Sequence, residues 1–248
     1  MKIKSIPRPE YPRPDFERTE WMNLNGEWGF ELDDANTGEK EGWYIDRVFS
    51  KKIIVPFSYQ CEFSGINDKS MHENLWYRKE FSLPESMAGK RIMLNFGAVD
   101  YICKVWLNGS YIGFHKGGYT PFKMDVTEFI NQDKNTLVIK VEDRYECVQP
   151  RGKQYWKAEP DRCWYTATSG IWQTVWLEVV GDNFIDKVRM TPDIDLRNVV
   201  IEVYLDKYQP ELEVLIKVMY QGSLVNQIRT NIYRRILKVT LDINEEII

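Results

Sequence analysis

Histidine and cysteine are scarce in this chain: two histidines, His72 and His115, and four cysteines, Cys61, Cys103, Cys147 and Cys163, occur in 248 residues. Two scattered histidines are too few for a recognisable metal centre or histidine-dependent triad. No cysteine pair has C-x-x-C spacing, which excludes the usual zinc and redox motifs, and Cys103 alternates with Val105 and Leu107 like a small core residue. No hydrophobic run is long enough to span a membrane. Residues Met1 to Arg18 hold Pro7, Pro9, Pro12 and Pro14 and no apolar stretch, which is not the pattern of a secretory signal. The reading is a cytoplasmic protein, or a periplasmic or secreted one whose signal has been removed. Neither sign of charge dominates: 33 Lys and Arg stand against 37 Asp and Glu, a net charge of -4. That balance argues against nucleic acid or an anionic membrane as partner. Gly117-Gly118 is followed by no Lys-Ser/Thr pair, so it is no phosphate loop and reads as backbone freedom for a bend. His115 beside it reads as the top of a turn. No cofactor or metal is indicated.

Aromatic residues are abundant instead, with nine Trp and fourteen Tyr. They suit strands and also make flat platforms for sugars. Helical periodicity is missing from 19–180, and short strands punctuated by turns replace it. They are Trp28–Leu32, Lys52–Val55, Trp76–Phe81, Arg91–Phe96 and Tyr101–Leu107 about the Gly97 turn, Tyr111–Phe114 after the Asn108-Gly109 turn, and Thr136–Val141. Asp125-Val126-Thr127 reads as a turn or a short helical segment. The fold class is all-β: a jelly-roll, galactose-binding-like sandwich over 19–181, preceded by an extended arm over 1–18. From 182 to 248 the alternation continues in Ile185–Met190, Asn198–Leu205, Glu211–Met219 and Ile236–Leu241, with a hairpin turn at Tyr220–Ser223. This reads as an immunoglobulin-like sandwich that is incomplete, having about five strands where such a domain has about seven.

The segment Ser169–Glu178 reads as one strand opened by Gly170. Alternation would put Ile171, Gln173, Val175, Leu177 and Val179 on one face and Trp172, Thr174, Trp176 and Glu178 on the other. Trp172 and Trp176 then form a shared aromatic face, either a sugar platform or, more in keeping with β cores, packing. Glu27 has no assignable partner carboxylate and reads as solvated surface.

Several stretches together resemble the N-terminal sugar-binding domain of glycoside hydrolase family 2, the β-galactosidases, β-glucuronidases and β-mannosidases. They are Leu24–Trp28, Val55-Pro56, Trp76-Tyr77-Arg78, Val105–Gly109, Gly117–Phe122 with Asp125-Val126-Thr127, Gln149–Gln154 and Gly170–Glu178. Each alone is weak; their number and order are specific. The resemblance covers 19–180, and 183–248 looks like the start of the immunoglobulin-like domain that follows in the family. It implies a retaining β-glycosidase whose two catalytic glutamates, about 5 Å apart, belong to a (β/α)₈ barrel that has no counterpart in this sequence. The expected partners are therefore that barrel and a carbohydrate, a β-galactoside in first place. β-Glucuronidases of the family carry a His-Asp pair where this chain has Cys163-Trp164, which argues against glucuronidase specificity and leaves β-mannosidase or another β-glycosidase as the second choice.

The long loop 142–169 collects Asp143, Glu146, Arg151, Lys153, Gln154, Tyr155, Trp156 and Asp161, a mixture that suits sugar hydroxyls and apolar sugar faces. By the resemblance, Asp143, Arg151, Lys153, Gln154 and Trp156 contribute to the pocket of the intact enzyme. The competing reading is that Arg151 and Lys153 only hold the loop or a domain interface. Two other functions stay open: a stand-alone carbohydrate-binding module, and a purely structural domain that supports the barrel and an oligomer. An incomplete sandwich exposes an edge, so a homo-oligomer or disorder is expected within 183–248, with a monomer in light scattering as the contrary result. The chain alone should not hydrolyse glycosides, and turnover of nitrophenyl β-glycosides by the purified chain would overturn that expectation.

Overall fold

The computed structural model describes residues 5–145, 148–157 and 159–243. Their seventeen strands are, in chain order, β1 (Trp21–Asn23), β2 (Gly26–Leu32), β3 (Lys51–Val55), β4 (Asn74–Phe81), β5 (Arg91–Phe96), β6 (Val99–Asp100), β7 (Ile102–Leu107), β8 (Ser110–Lys116), β9 (Phe122–Asp125), β10 (Asn135–Glu142), β11 (Gly170–Ile171), β12 (Val175–Val180), β13 (Ile185–Asp193), β14 (Asn198–Leu205), β15 (Glu213–Tyr220), β16 (Ser223–Asn231) and β17 (Ile236–Asp242). The helical content of the described residues is two short 3₁₀ turns at Glu62–Ser64 and Glu85–Met87. No helix among the described residues is long and apolar enough to cross a membrane. The chain forms two compact units, one ending at Val179 and one starting at Val180.

In the first unit a six-stranded sheet, ordered β3-β2-β4-β10-β7-β8, and a four-stranded sheet, ordered β1-β12-β5-β9, enclose the core. The alternation of β10 shows why. Leu137, Ile139 and Val141 point into that core, and in register Ile139 lies between Tyr77 of β4 and Val105 of β7. The intervening Val138 and Lys140 face the other way, onto Trp76, Trp106, Trp43 and Phe49. Both faces of this sheet are therefore covered, which accounts for much of the tryptophan content. The Lys140 ammonium, on a buried side chain, is kept in a polar environment by Asn36 and by Glu39 at 3.7 Å.

Across the Gly97 turn the chain changes sheets: β5 belongs to the four-stranded sheet and β7 to the six-stranded one. One expectation about strands is corrected: Ser169–Glu178 is not one strand. β11 pairs with β6, β12 pairs with β1, and the chain bends between them at residues 172–174. The bend has visible causes. The Val175 N–H is taken by Asn25 Oδ1 at 3.0 Å, and Gln173 lies over Gly97, where an added Cβ would stand 2.7 Å from the Gln173 Cβ. Gln173 is consequently exposed rather than inward-facing. His115 does not top a turn either; it lies in β8, stacked on Phe122 with ring centroids 4.1 Å apart. Glu27 is exposed beside Lys52, and Cys103 is buried, which pushes its thiol up to about 12.

The proline-rich arm is stitched to this unit by side chains of the first strands. Asn23 Nδ2 donates to the Arg8 carbonyl at 2.8 Å, and Asn25 Nδ2 to the Pro7 carbonyl at 3.1 Å. Further along, the Tyr11 hydroxyl donates to Glu178 Oε1 at 2.6 Å, an acceptor shared with the Trp176 indole at 2.7 Å.

The second unit has a three-stranded sheet, β13-β14-β17, and the β15-β16 hairpin. The hairpin turns at Gln221-Gly222 with φ of 47° and 83°, the left-handed pair that a tight two-residue turn requires. Alternate residues Ile201, Val203 and Leu205 of β14 meet Val214, Ile232 and Leu241 in its core.

Gly170 has little room for a side chain. Its φ is +90°, and a Cβ there would lie 1.9 Å from the buried Tyr77 hydroxyl. Gly170→Ala should cost about 3 kcal/mol of stability. Urea unfolding followed by tryptophan fluorescence measures it, and an unchanged midpoint would refute the steric account.

Candidate functional site

The loop joining β10 to β11 is ordered around a buried carboxylate. Asp143 extends the β10 ladder by donating its N–H to the Glu73 carbonyl at 2.9 Å, and it is only 1% exposed. A charge so placed needs partners. Oδ1 accepts from Gln149 Nε2 and from Arg151 Nη2 at 3.2 Å, and Oδ2 accepts from the Ser169 hydroxyl at 2.5 Å. One carboxylate thus ties the middle of the loop to its far end. The Arg151 guanidinium also donates to the Arg144 carbonyl and lies 5.0 Å from the Tyr145 ring centroid. Among the described residues, its buried Nε and Nη1 have no hydrogen-bond partner.

A second knot holds the next stretch. Gln154 Nε2 donates to Asp100 Oδ2 at 2.7 Å and to the Tyr119 hydroxyl at 3.0 Å, while its Oε1 accepts the Thr168 N–H at 2.9 Å. Tyr119 in turn donates to the Arg151 carbonyl at 3.0 Å. Tyr155 N–H to the Tyr165 carbonyl and Tyr165 N–H to the Lys153 carbonyl, both 2.8 Å, form a parallel bridge that closes the outer part of the loop. The long loop therefore carries its own short pairing. Gly118 packs against Asp100 so closely that a Cβ would stand 2.3 Å from Oδ1, which leaves glycine as the residue that fits.

These knots surround a cleft of about 320 Å³ whose walls include Asp100, Tyr119, Arg151, Lys153, Gln154 and Trp172. Lys153 is exposed and, among the described residues, pairs with no carboxylate; its ammonium lies 5.9 Å from the Tyr165 ring centroid. Trp172 donates its indole N–H to the Gly118 carbonyl at 2.8 Å and meets Tyr119 edge-on. With its N–H engaged, the indole has only apolar surface left to offer the cleft. Amide, carboxylate, ammonium and aromatic groups converge here, a donor–acceptor set able to hold a polyhydroxylated ligand.

Of the sequence-derived candidates, Arg151, Lys153 and Gln154 line this cleft. Asp143 stands behind Arg151 and does not. Trp156 also lies outside the lining, half-exposed and edge-on to Tyr155 and Trp164 at 4.8 and 5.2 Å. Asp161 is exposed and accepts the Trp164 N–H through its carbonyl, and Glu146 lies outside the described residues. Trp172 and Trp176 do not share a face, because the bend sends one to the cleft and the other to Glu178. Asp100 and Tyr119 were not singled out from sequence. The available signal was a carboxylate closing the otherwise apolar run Ala98-Val99-Asp100, a residue type that is buried only with partners. Among the described residues no cluster of three or more His, Cys, Asp or Glu could hold a metal ion.

Burial, and then the nearby Asp143 charge, push the Asp100 carboxyl up to about 6, while Gln154 and Arg151 pull the other way. The unfolded value is about 3.9. The folded state therefore binds the extra proton between these values, and this group makes stability fall as pH rises from about 4 to about 6. Asp100→Asn keeps the acceptor for Gln154 and removes the titration. Relative to that variant, the wild type should lose up to about 3 kcal/mol between about pH 4 and pH 7. Urea unfolding across that range measures it, and parallel pH profiles for the two proteins would contradict it.

Comparison with known proteins agrees with this architecture. Residues 21–179 match the model of the glycosyl hydrolases family 2 sugar binding domain. A β-galactosidase of Thermoanaerobacter pseudethanolicus is 34% identical over 176 residues, covering 69% of this chain and 22% of the relative. A β-glucuronidase of Paenibacillus borealis is 25% identical over 225 residues, covering 84% of this chain and 37% of the relative. The solved structure of a β-glucuronidase from Ruminococcus gnavus in complex with D-glucaro 1,5-lactone superposes with a TM-score of 0.70 at 21% identity, over 95% of this chain and 41% of that one. The chain thus spans well under half the length of these relatives, and the match covers most of its first unit. This all-β chain belongs to glycosyl hydrolase family 2 and carries that family's sugar binding domain.

Proposed function

We propose that the chain acts as the non-catalytic, sugar-binding and scaffolding region of a retaining β-glycosidase of β-galactosidase type, with loop 142–169 contributing Arg151, Lys153 and Gln154 to the wall of a substrate pocket. The observation that carries this is the cleft itself: three sequence-derived residues converge there with Asp100, Tyr119 and Trp172. Asp143 holds Arg151 from behind, and Trp156 adds an aromatic surface at the loop's rim. The partner that completes the pocket is a catalytic barrel domain, and the ligand is a neutral β-galactoside. With Arg151 paired to Asp143, Asp100 and Lys153 leave one charge of each sign at the cleft, which favours a neutral polyol over a sugar acid. The place occupied by Cys163-Trp164 supports the same choice, since the Trp164 ring is engaged with Tyr155 and Trp156 and supplies no carboxylate. Among the relatives compared, the β-galactosidase has the higher identity.

A chimera tests the proposal: residues 21–179 replace the corresponding domain of the Thermoanaerobacter β-galactosidase. It should hydrolyse nitrophenyl β-galactoside at least about tenfold faster than nitrophenyl β-glucuronide. Lys153→Ala and Gln154→Ala in the chimera should each raise KM about five- to tenfold, the effect of a lost hydrogen bond to a ligand. Preference for the glucuronide, or an unchanged KM in both variants, would refute the reading.

A further inference from the structure

Trp172 is a wall of a second cleft. This one holds about 460 Å³, within the range of small-ligand sites, and is bounded by the arm on one side and by the bend between β11 and β12 on the other. Arg8, Glu10, Pro56, Phe57 and Gln173 form it together with Trp172.

The cleft is held in shape rather than left between loose segments. Asn25 is 3% exposed and fastens both sides: its Nδ2 donates to the Pro7 carbonyl of the arm and to the Thr174 hydroxyl of the bend at 3.2 Å. Its Oδ1 accepts the Val175 N–H. Asn23 holds the Arg8 carbonyl. Gln173 is kept over Gly97 by the Gly97 N–H to Thr174 carbonyl bond of 2.9 Å. Its exposed amide makes no hydrogen bond among the described residues. Arg8 and Glu10 are exposed and only loosely paired, at 3.8 Å. The Trp172 N–H is already used on Gly118, so this indole also offers the second cleft an apolar surface.

We propose that this cleft is a separate saccharide-binding site, in which one pyranose ring of a neutral oligosaccharide packs on Trp172 and its hydroxyls bond Gln173, Arg8 and Glu10. The chemistry selects that class. An aromatic face with adjoining proline and phenylalanine matches the C–H face of a pyranose. A free amide, a guanidinium and a carboxylate match vicinal hydroxyls as donors and acceptors. Opposite charges on Arg8 and Glu10 cancel, which disfavours a polyanion. The site needs no group from another domain, and Trp172 is the one lining residue it shares with the loop pocket.

The test is a ¹H–¹⁵N NMR titration of the 248-residue chain with cellotetraose and, separately, lactose. The Gln173 side-chain amide and the backbone amides of 8–11 and 172–174 should shift for at least one sugar, with a Kd on the order of 1 mM. The Arg8→Ala/Gln173→Ala double variant should weaken binding about tenfold, and Lys153→Ala should leave it within about twofold. Both exposed positions lie outside the core, and the wild-type shifts report the site even if a variant is unstable. Absence of shifts at about 20 mM of either sugar, well above the expected Kd, overturns the inference and leaves the chimera assay to judge the loop pocket. Shifts confined to 151–168 and removed by Lys153→Ala also overturn it, and would speak for the loop pocket instead.

Discussion

The arrangement of the loop rests on the burial of the Asp143 carboxylate. An unpaired charge at a 1% exposed position costs several kcal/mol, so the chain around it must deliver donors. Gln149, Arg151 and Ser169 do so from the same loop, and one of them immediately precedes Gly170. Ordering that many residues is entropically expensive. Here the compensation is electrostatic and hydrogen-bonded rather than apolar, which leaves the loop's outer surface free to be polar. The cleft is a product of that solution. Arg151 is drawn inward by Asp143, Gln154 is drawn inward by Asp100, and Lys153 between them is left at the surface.

The same economy recurs at the bend. Asn25 makes three hydrogen bonds to the arm and to residues 174–175, so a single buried amide links the arm to the start of β12. Asn25 and Asp100 are buried polar junctions between segments far apart in sequence, and the apolar core fills the space between the sheets. This explains why the breaks in alternation, and not the regular strands, generate the surface features.

How far the sequence could be read follows from the same physics. β10 was legible because Leu137, Ile139 and Val141 alternate cleanly, and the hairpin at Gln221-Gly222 because its residues suit a left-handed turn. The loop residues Arg151, Lys153 and Gln154 were legible as a group, through composition and family resemblance. Trp172 was misplaced because strict alternation was carried through a segment whose backbone N–H at Val175 is captured by Asn25, a residue 150 positions away. Asp100 was missed for a similar reason: its burial depends on Gln154 and Gly118, which come near it only in the folded chain. Local pattern reports local geometry; interactions that interrupt a strand from a distance leave no local trace.

The position of Trp172 has one further consequence. A single indole is the partition between two clefts, fastened at one edge by Gly118. Whatever free energy a ligand in one cleft spends or gains by tilting that ring is felt in the other, and thermodynamic linkage makes the effect equal in both directions. A rigid partition would leave the two compartments independent, and a mobile one would make occupancy of either a reporter on its neighbour.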